Sequence, residues 1–182
     1  ATGVLVVCIG NTTKLCELLT SEYKEYIATL KLGIKTDTLD TTGNIVEKKD
    51  YNVDEKKIIE VLNSFQGESI QTTPIYSAVK VNGKKLYEYA REGKEVELPK
   101  RKITIKNIEL ISYNNDEIVF KTTVSKGTYI RSLIEDICTK LNTVGTMSSL
   151  TRTKQGMFTL EDSYTLEEII NNDYKITSKE VA

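Results

Sequence analysis

Two alternating segments in the second half of the chain constrain the fold most strongly. Residues 103–112 and 117–124 alternate apolar with polar side chains, and Asn-Asn-Asp at 114–116 joins them. Two such segments with a short turn between them predict a β-hairpin. Residues 26–32 and 146–153 also show strand patterns, so we expect a sheet that is largely antiparallel.

Helical segments are interspersed among these strands. Apolar side chains recur every three or four residues over 13–22, 52–64 and 128–141, and capping-box spacings occur at Asn52/Glu55 and at Thr165/Glu168. Residues 69–93 look irregular, except for a short strand over 77–81, a tight turn at Asn82-Gly83 and a short helix. Because helices and strands do not alternate as in a parallel sheet, we predict the α+β class: a mixed, mostly antiparallel central sheet flanked by helices.

The chain begins with an apolar segment. Residues 4–9 are strand-like, and residue 1 is Ala rather than Met. A native N-terminus usually carries a loosely held polar lead. We therefore expect residues to be missing upstream; a processed or engineered start is the alternative.

Composition argues against several kinds of site. The 182 residues include no His, which excludes a Ser-His-Asp triad and removes the commonest metal ligand, so we expect no metal. The three cysteines form no C-x-x-C pair and are expected to be small, buried apolar residues rather than disulfide or zinc partners. No run approaches about 18 consecutive apolar residues, so we expect no membrane span and no membrane partner.

Residues 71–106 form a locally basic segment. They hold nine Lys or Arg and four Glu, a net charge of +5, although the formal charge of the whole chain is −1. Such a segment favours a polyanionic partner such as RNA. Charge alone favours the plainer interpretation, a solvated surface with internal ion pairs.

Without His, the candidate catalytic groups are carboxylates, Tyr, Lys and Arg. Arg131 follows a Lys-Gly bend at the start of a helix, and either binds a carboxylate or phosphate or pairs with Glu135 one turn along. Tyr26 is either a catalytic phenol or a half-buried core aromatic. Asp37 and Asp40 lie in a polar loop, where Asx turns are the plainer interpretation.

Five segments carry a resemblance, and they occur in family order over nearly the whole chain. They read ATGVL (1–5), KEY with LGIKTDTLDTTG (24–26 and 32–43), PIYSAVKVNGKKLY (74–87), KGTYIRSLIED (126–136) and LTRTKQGMF (150–158). Together they resemble the motifs of the bacterial TruB family of tRNA pseudouridine synthases. The family usually has Pro-Pro where this chain has Thr73-Pro74, and Arg-Arg where it has Thr151-Arg152.

The resemblance implies a fold, an activity and a set of site residues. The fold is that of pseudouridine synthases, with a catalytic core over 1–160, an inserted RNA-binding thumb over about 69–100, and the start of a C-terminal region over 161–182. The activity is conversion of uridine 55 in the tRNA T-loop to pseudouridine, without cofactor, by a cytoplasmic monomer that binds the T stem-loop. Tyr26 and Arg131 are the implied catalytic residues. The implied substrate-binding residues are Asp40, Leu150, Tyr76, Lys80, Lys84, Lys85 and Arg152.

One implied residue lies outside the sequence. The register of the first motif puts the family's nucleophilic Asp three residues before Ala1, so we expect the 182-residue chain alone to be inactive. The alternatives are a non-catalytic RNA-binding or tRNA-folding module with the same thumb, and a globular domain whose resemblance is accidental.

Overall fold

One central sheet organises the molecule. The computed structural model describes residues 1–175. Its strands are β1 (Thr2–Gly3), β2 (Lys24–Leu32), β3 (Ile34–Thr36), β4 (Ile45–Lys48), β5 (Gly67–Thr72), β6 (Lys80–Val81), β7 (Lys84–Lys85), β8 (Lys100–Asn114), β9 (Glu117–Val124), β10 (Gly145–Gln155) and β11 (Phe158–Thr159). The helices are α1 (Cys16–Ser21), α2 (Glu55–Asn63), α3 (Leu86–Arg91), α4 (Ile130–Lys140) and α5 (Leu166–Ile170).

The sheet is mixed and mostly antiparallel. Its strand order is β1-β10-β2-β9-β8-β5, with β11 paired to β10. The β1–β10 pairing is parallel and the other pairings in this sheet are antiparallel. Two small antiparallel ribbons, β3–β4 and β6–β7, lie outside it. The predicted fold class is therefore confirmed.

One face of the sheet carries the core. On β2, Ala28, Leu30 and Leu32 are buried, as the alternation predicts. Helices α2 and α4 cover this face, and burial of each large aliphatic side chain contributes about 1.5–3 kcal/mol. The five apolar residues predicted for the inner face of α4 and its C-terminal cap are all buried: Ile130, Leu133, Ile134, Ile137 and Leu141. Cys138 is buried with them.

The β8–β9 hairpin is also confirmed. Asn115 in its turn has φ 54°, a left-handed conformation that Asn tolerates better than most residues. The Thr165/Glu168 capping box opens α5 as predicted. Residues 176–182 of the predicted C-terminal region lie outside the described residues.

Five local predictions are wrong, two of them in part. The strand predicted over 77–81 is reduced to the two residues of β6, and the helix predicted over 13–22 begins as a 3-10 helix, Gly10–Leu15, before α1.

The other three concern the N-terminal segment, β5 and α2. The strand over 4–9 does not form: past Val4, whose N–H donates to the Arg152 carbonyl at 2.9 Å, alternate apolar side chains are exposed instead of packed on a sheet. Residues 69–72 are not irregular, because pairing with β8 makes them part of the edge strand β5. Helix α2 is capped by Asp54, whose side chain accepts from the Lys57 N–H, and not by Asn52.

The cysteines differ from one another. Cys138 is buried as expected, and burial, with the charge of Glu135, raises its pKa to about 12. Cys16 is exposed and Cys8 only partly buried, so the prediction of burial is wrong for these two. Both lie in the N-terminal segment whose apolar side chains are largely exposed. Within residues 1–175 no helix has the length and apolar character needed to cross a bilayer.

Candidate active site

The guanidinium of Arg131 joins two segments that are distant in sequence. Its Nη1 donates to the Thr38 carbonyl at 2.9 Å and its Nη2 to the Tyr76 carbonyl at 2.8 Å. The alternative pairing with Glu135 does not form, because Glu135 accepts from Lys35 at 2.5 Å. Neutral carbonyl partners fix the arginine without cancelling its charge.

The carboxylate of Asp40 lies beside this guanidinium. Its Oδ2 is 3.5 Å from Arg131 Nη1, and its Oδ1 accepts from the Thr38 hydroxyl at 3.0 Å and from the Thr42 hydroxyl at 2.5 Å and N–H at 3.1 Å. Burial acts to raise the pKa of Asp40, but these hydrogen bonds and the Arg131 charge outweigh it, so the pKa lies below its usual value. Asp40 therefore stays ionised.

The two loop aspartates have different roles. Asp37 accepts from the Asn44 N–H at 2.9 Å and closes the loop, which is the turn chemistry expected from the sequence. Asp40 also makes an Asx turn, through Thr42, but faces Arg131 as well. The turn expected from the sequence is therefore present, and Asp40 stays a predicted site residue.

The loop that carries Asp40 is fixed against the sheet. The Met147 N–H donates to the Leu39 carbonyl and the Thr41 N–H to the Met147 carbonyl, each at 3.0 Å. Leu39 adopts φ 63°, a conformation that is strained for a large side chain. Strain at this position shows that the surrounding contacts determine the loop path.

Tyr26 and Arg152 are neighbours on β2 and β10. They are opposite each other in register, and the Arg152 guanidinium carbon lies 5.7 Å from the centroid of the Tyr26 ring. Leu150 is opposite Ala28 in the same ladder, so its side chain points to the core face, as do those of Tyr26 and Arg152. Since α4 covers that face, Tyr26 and Arg131 lie on the same side of the sheet.

Positive charge collects near Tyr26. Arg152 Nη1 donates to Gln155 at 2.7 Å, whereas its buried Nε has no hydrogen-bond partner among residues 1–175. Burial lowers the pKa of Lys24, and the nearby charges of Arg152 and Lys126 lower it further. Lys24 and Lys126 were not among the residues predicted from the sequence. Their position within the KEY and KGTYIR segments could have indicated them.

The thumb lysines are not equivalent. The Asn82-Gly83 turn joins β6 to β7 with φ angles of 51° and 81°, as predicted for a tight hairpin. Lys80 is exposed, whereas Lys84 forms an ion pair with Glu92. Lys85 donates to the Tyr87 hydroxyl at 3.3 Å. Lys80 and Lys85 are thus freer of acidic partners than Lys84.

A separate groove lies away from these residues. About 370 Å³ of space opens between the end of α2, the edge strand β5 and α4, beside Phe65 and Lys140, without Arg131, Asp40 or Tyr26 in its lining. This groove is therefore not the candidate active site. The contact between Arg131 and Asp40 identifies that site. No group of three or more Cys, Asp or Glu residues within 1–175 is placed to hold a metal ion.

The chain is similar to known proteins over most of its length. Residues 1–130 match the model described as TruB family pseudouridylate synthase (N terminal domain). The chain is 48% identical over 170 residues to tRNA pseudouridine synthase B of Clostridium tetani. The aligned residues make up 93% of this chain and 59% of the relative. The enzyme of the same name from Caldanaerobacter subterraneus is 50% identical over 171 residues, 93% of this chain and 60% of the relative.

A solved structure gives a similar result. One chain in a crystal structure of a Cbf5-Nop10-Gar1 complex superposes with a TM-score of 0.71 at 31% identity, over 94% of this chain and 42% of that one. The chain thus spans about three fifths of the length of the curated relatives it matches.

Proposed function

The chain belongs to the TruB family of pseudouridylate synthases, and from that premise we propose that its protein converts a uridine of tRNA, uridine 55 of the T-loop, to pseudouridine. The names of the two bacterial relatives support tRNA as the substrate. We assign residues 1–160 to the catalytic core, with the thumb inserted over 69–100. We further propose that the protein acts as a monomer in the cytoplasm.

The paired Arg131 and Asp40 carry this proposal. Arg131 is fixed by two carbonyls and is 3.5 Å from the Asp40 carboxylate. We infer that this long contact leaves it able to attract a second carboxylate, the family's nucleophilic Asp. Strand β1 pairs with β10 in parallel, with Thr2 opposite Thr151. The start of the chain thus lies along β10, the strand whose Met147 bridges to Asp40. This placement supports an upstream aspartate near Arg131.

The chemistry is an isomerisation and needs no oxidant or reductant. The bond from N1 of uracil to C1′ of the sugar breaks, the base turns, a bond from C5 to C1′ forms, and C5 loses the proton that balances the one gained at N1. A stacked uracil cannot turn, so the nucleotide must first be extruded at a cost of a few kcal/mol. The upstream Asp would attack the sugar or the base, or deprotonate the sugar.

The remaining residues suit the extruded base. The Tyr26 ring offers a stacking face, worth roughly 1–3 kcal/mol per base, and a hydroxyl that can move a proton. Leu150 walls the core side of the pocket against water. Asp40 can accept a hydrogen bond from the base while it holds the loop.

The basic residues suit the RNA backbone. We assign phosphate contacts to Lys80, Lys84, Lys85 and Arg152, with Tyr76 as a stacking surface at the start of the thumb. The unpaired Nε of Arg152 and the charges of Lys24 and Lys126 beside it favour an anion close to Tyr26.

Release of tritium from tRNA labelled at C5 of uridine tests the proposal. The full-length protein should release one tritium per tRNA and none from tRNA with cytidine in place of uridine 55. Arg131→Ala should abolish release. We expect no release by the 182-residue chain alone; turnover by that chain would disprove the upstream nucleophile. Tight tRNA binding without any release by the full-length protein would instead support a non-catalytic tRNA-folding module.

A further inference from the structure

One buried amide outside the expected site residues binds the segment that leads to Arg131. Gln71 on β5 is 2% exposed. Its Oε1 accepts from the Tyr129 N–H at 2.8 Å, and its Nε2 donates to the Tyr129 carbonyl at 3.1 Å. An amide supplies one acceptor and donors in a fixed plane, so this pair of bonds sets both the position and the orientation of the Tyr129 main chain.

Tyr129 is the N-cap residue of α4, directly before its first residue Ile130. Its own side chain makes no capping hydrogen bond. Its carbonyl accepts the first helical bond, from the Leu133 N–H at 3.0 Å, as well as the bond from Gln71. The direction of the first turn of α4 is therefore set from β5, a strand that is 58 residues away in the sequence.

Two more bonds tie the same turn to the same stretch of chain. The Ser132 hydroxyl donates to the Thr72 carbonyl at 3.0 Å, and Arg131 donates to the Tyr76 carbonyl at 2.8 Å. Arg131 follows Tyr129 by two residues, so a shift of the Tyr129 peptide changes the position of the Arg131 main chain relative to Asp40.

We propose that Gln71 is a positioning residue for Arg131. It touches neither Arg131 nor Asp40, and it acts by holding the peptide of Tyr129 from which α4 starts. This proposal rests on the proposed function, since it assigns Gln71 an effect on the rate of uridine isomerisation. Misplacement of a reacting group by about 1 Å costs about 100-fold in rate, which is the size of effect expected.

The first test compares Gln71→Met with Tyr113→Phe in the full-length protein. Met fills a similar volume without the two hydrogen bonds. Tyr113→Phe is the matched control, because it removes one side-chain bond to a main-chain carbonyl, that of Val53 at 3.2 Å, in a part of the sheet without site residues. The measurements are the single-turnover rate at saturating tRNA, the Kd for tRNA, the Tm, and hydrogen exchange of the amides in 129–133.

Gln71→Met should lower the rate about 100-fold, leave the Kd within about twofold and speed exchange in 129–133. Tyr113→Phe should leave the rate, the Kd and the exchange of the amides in 129–133 unchanged. A rate loss no greater than that of Tyr113→Phe at comparable Tm, or unchanged exchange in 129–133, overturns the proposal. If the wild-type protein shows no turnover, the proposed function fails, and the exchange measurement still decides whether Gln71 holds the start of α4.

A second variant keeps the test valid if Gln71→Met folds poorly. Glu in place of Gln71 presents two acceptor oxygens when ionised and regains a donor when protonated. The ratio of the Gln71→Glu rate to the wild-type rate should rise as the pH falls. A ratio that does not change with pH overturns the positioning role.

Discussion

The guanidinium of Arg131 and the main-chain carbonyl of Tyr76 are joined by a 2.8 Å hydrogen bond. This bond connects the first turn of α4 with the start of the thumb. Because the other arm of the guanidinium binds the Thr38 carbonyl at 2.9 Å, the arginine links the thumb, the Asp40 loop and the core helix. If RNA binds the proposed thumb, we expect that contact to affect the position of the Arg131 guanidinium, because the Tyr76 carbonyl holds it.

Arg131→Lys tests whether this geometry matters beyond charge. Lysine keeps the positive charge, but its single ammonium lacks the planar fork that reaches both carbonyls. We expect the single-turnover rate to fall at least about 100-fold, since loss of a hydrogen bond from a charged group costs about 1.5–3 kcal/mol and two such bonds are at stake. The Kd for tRNA should stay within a few-fold. A rate near that of the wild type would show that charge alone suffices at position 131.

Asp40→Asn tests the coupling of this site to stability. The folded pKa of Asp40 is lower than its usual value, despite burial, because of hydrogen bonds from Thr42 and Thr38 and the charge of Arg131. In the unfolded chain the pKa of an Asp side chain is about 3.9. The ionised carboxylate therefore stabilises the fold above that pH, and the stabilisation is lost as the pH falls through the lower, folded value.

We expect the free energy of unfolding of the wild type to fall more steeply below about pH 4 than that of Asp40→Asn. Urea denaturation followed from neutral pH down into this range measures it. Parallel curves for the two proteins would contradict a lowered pKa at Asp40.

The sequence predicts the elements whose pattern is local. The β8–β9 hairpin, the buried face of β2 and the apolar face of α4 follow from side-chain periodicity, and periodicity reports burial directly. The strand β5 could not be predicted in this way, because only Gln71 of its residues is buried, Gly67 is half-buried and the other four are exposed at the sheet edge. Its pairing with β8 depends on main-chain bonds, which leave little trace in the sequence.

The site is predictable only in part for a similar reason. Arg131 and Asp40 stand out in sequence motifs, but their contact depends on how the loop from Asp37 to Asn44 docks on Met147. The partners that fix Arg131 are carbonyls of Thr38 and Tyr76, and a main-chain oxygen has no residue type to reveal it. The ion pair of Lys84 with Glu92 likewise could not be read from net charge.

The thumb lysines should differ in their contribution to the salt dependence of tRNA binding. The sequence predicts equal contributions from Lys80, Lys84 and Lys85. In the structure Glu92, which also pairs with Lys94, partly neutralises Lys84. We expect Lys80→Ala and Lys85→Ala each to reduce the slope of log K against log salt by about one unit, and Lys84→Ala to reduce it by less. Binding titrations at several salt concentrations measure the slope. Lys57→Ala on α2, outside the thumb, is the control and should leave it unchanged.

Gly43→Ala tests the path of the Asp40 loop. A methyl group at Gly43 would collide with Asp37 Oδ1 and the Thr38 hydroxyl oxygen. The loop must then shift, and with it the Thr38 carbonyl and the Asp40 carboxylate that face Arg131. We expect a lower Tm and a loss of turnover larger than the unfolded fraction explains. Gly10→Ala is the comparison: nothing lies within 4 Å of its methyl group, and only its φ of 62° is unfavourable. This control variant should lower the Tm without lowering the turnover of the folded protein. An equal loss of turnover in both variants would show that the path of the Asp40 loop has no specific effect on catalysis.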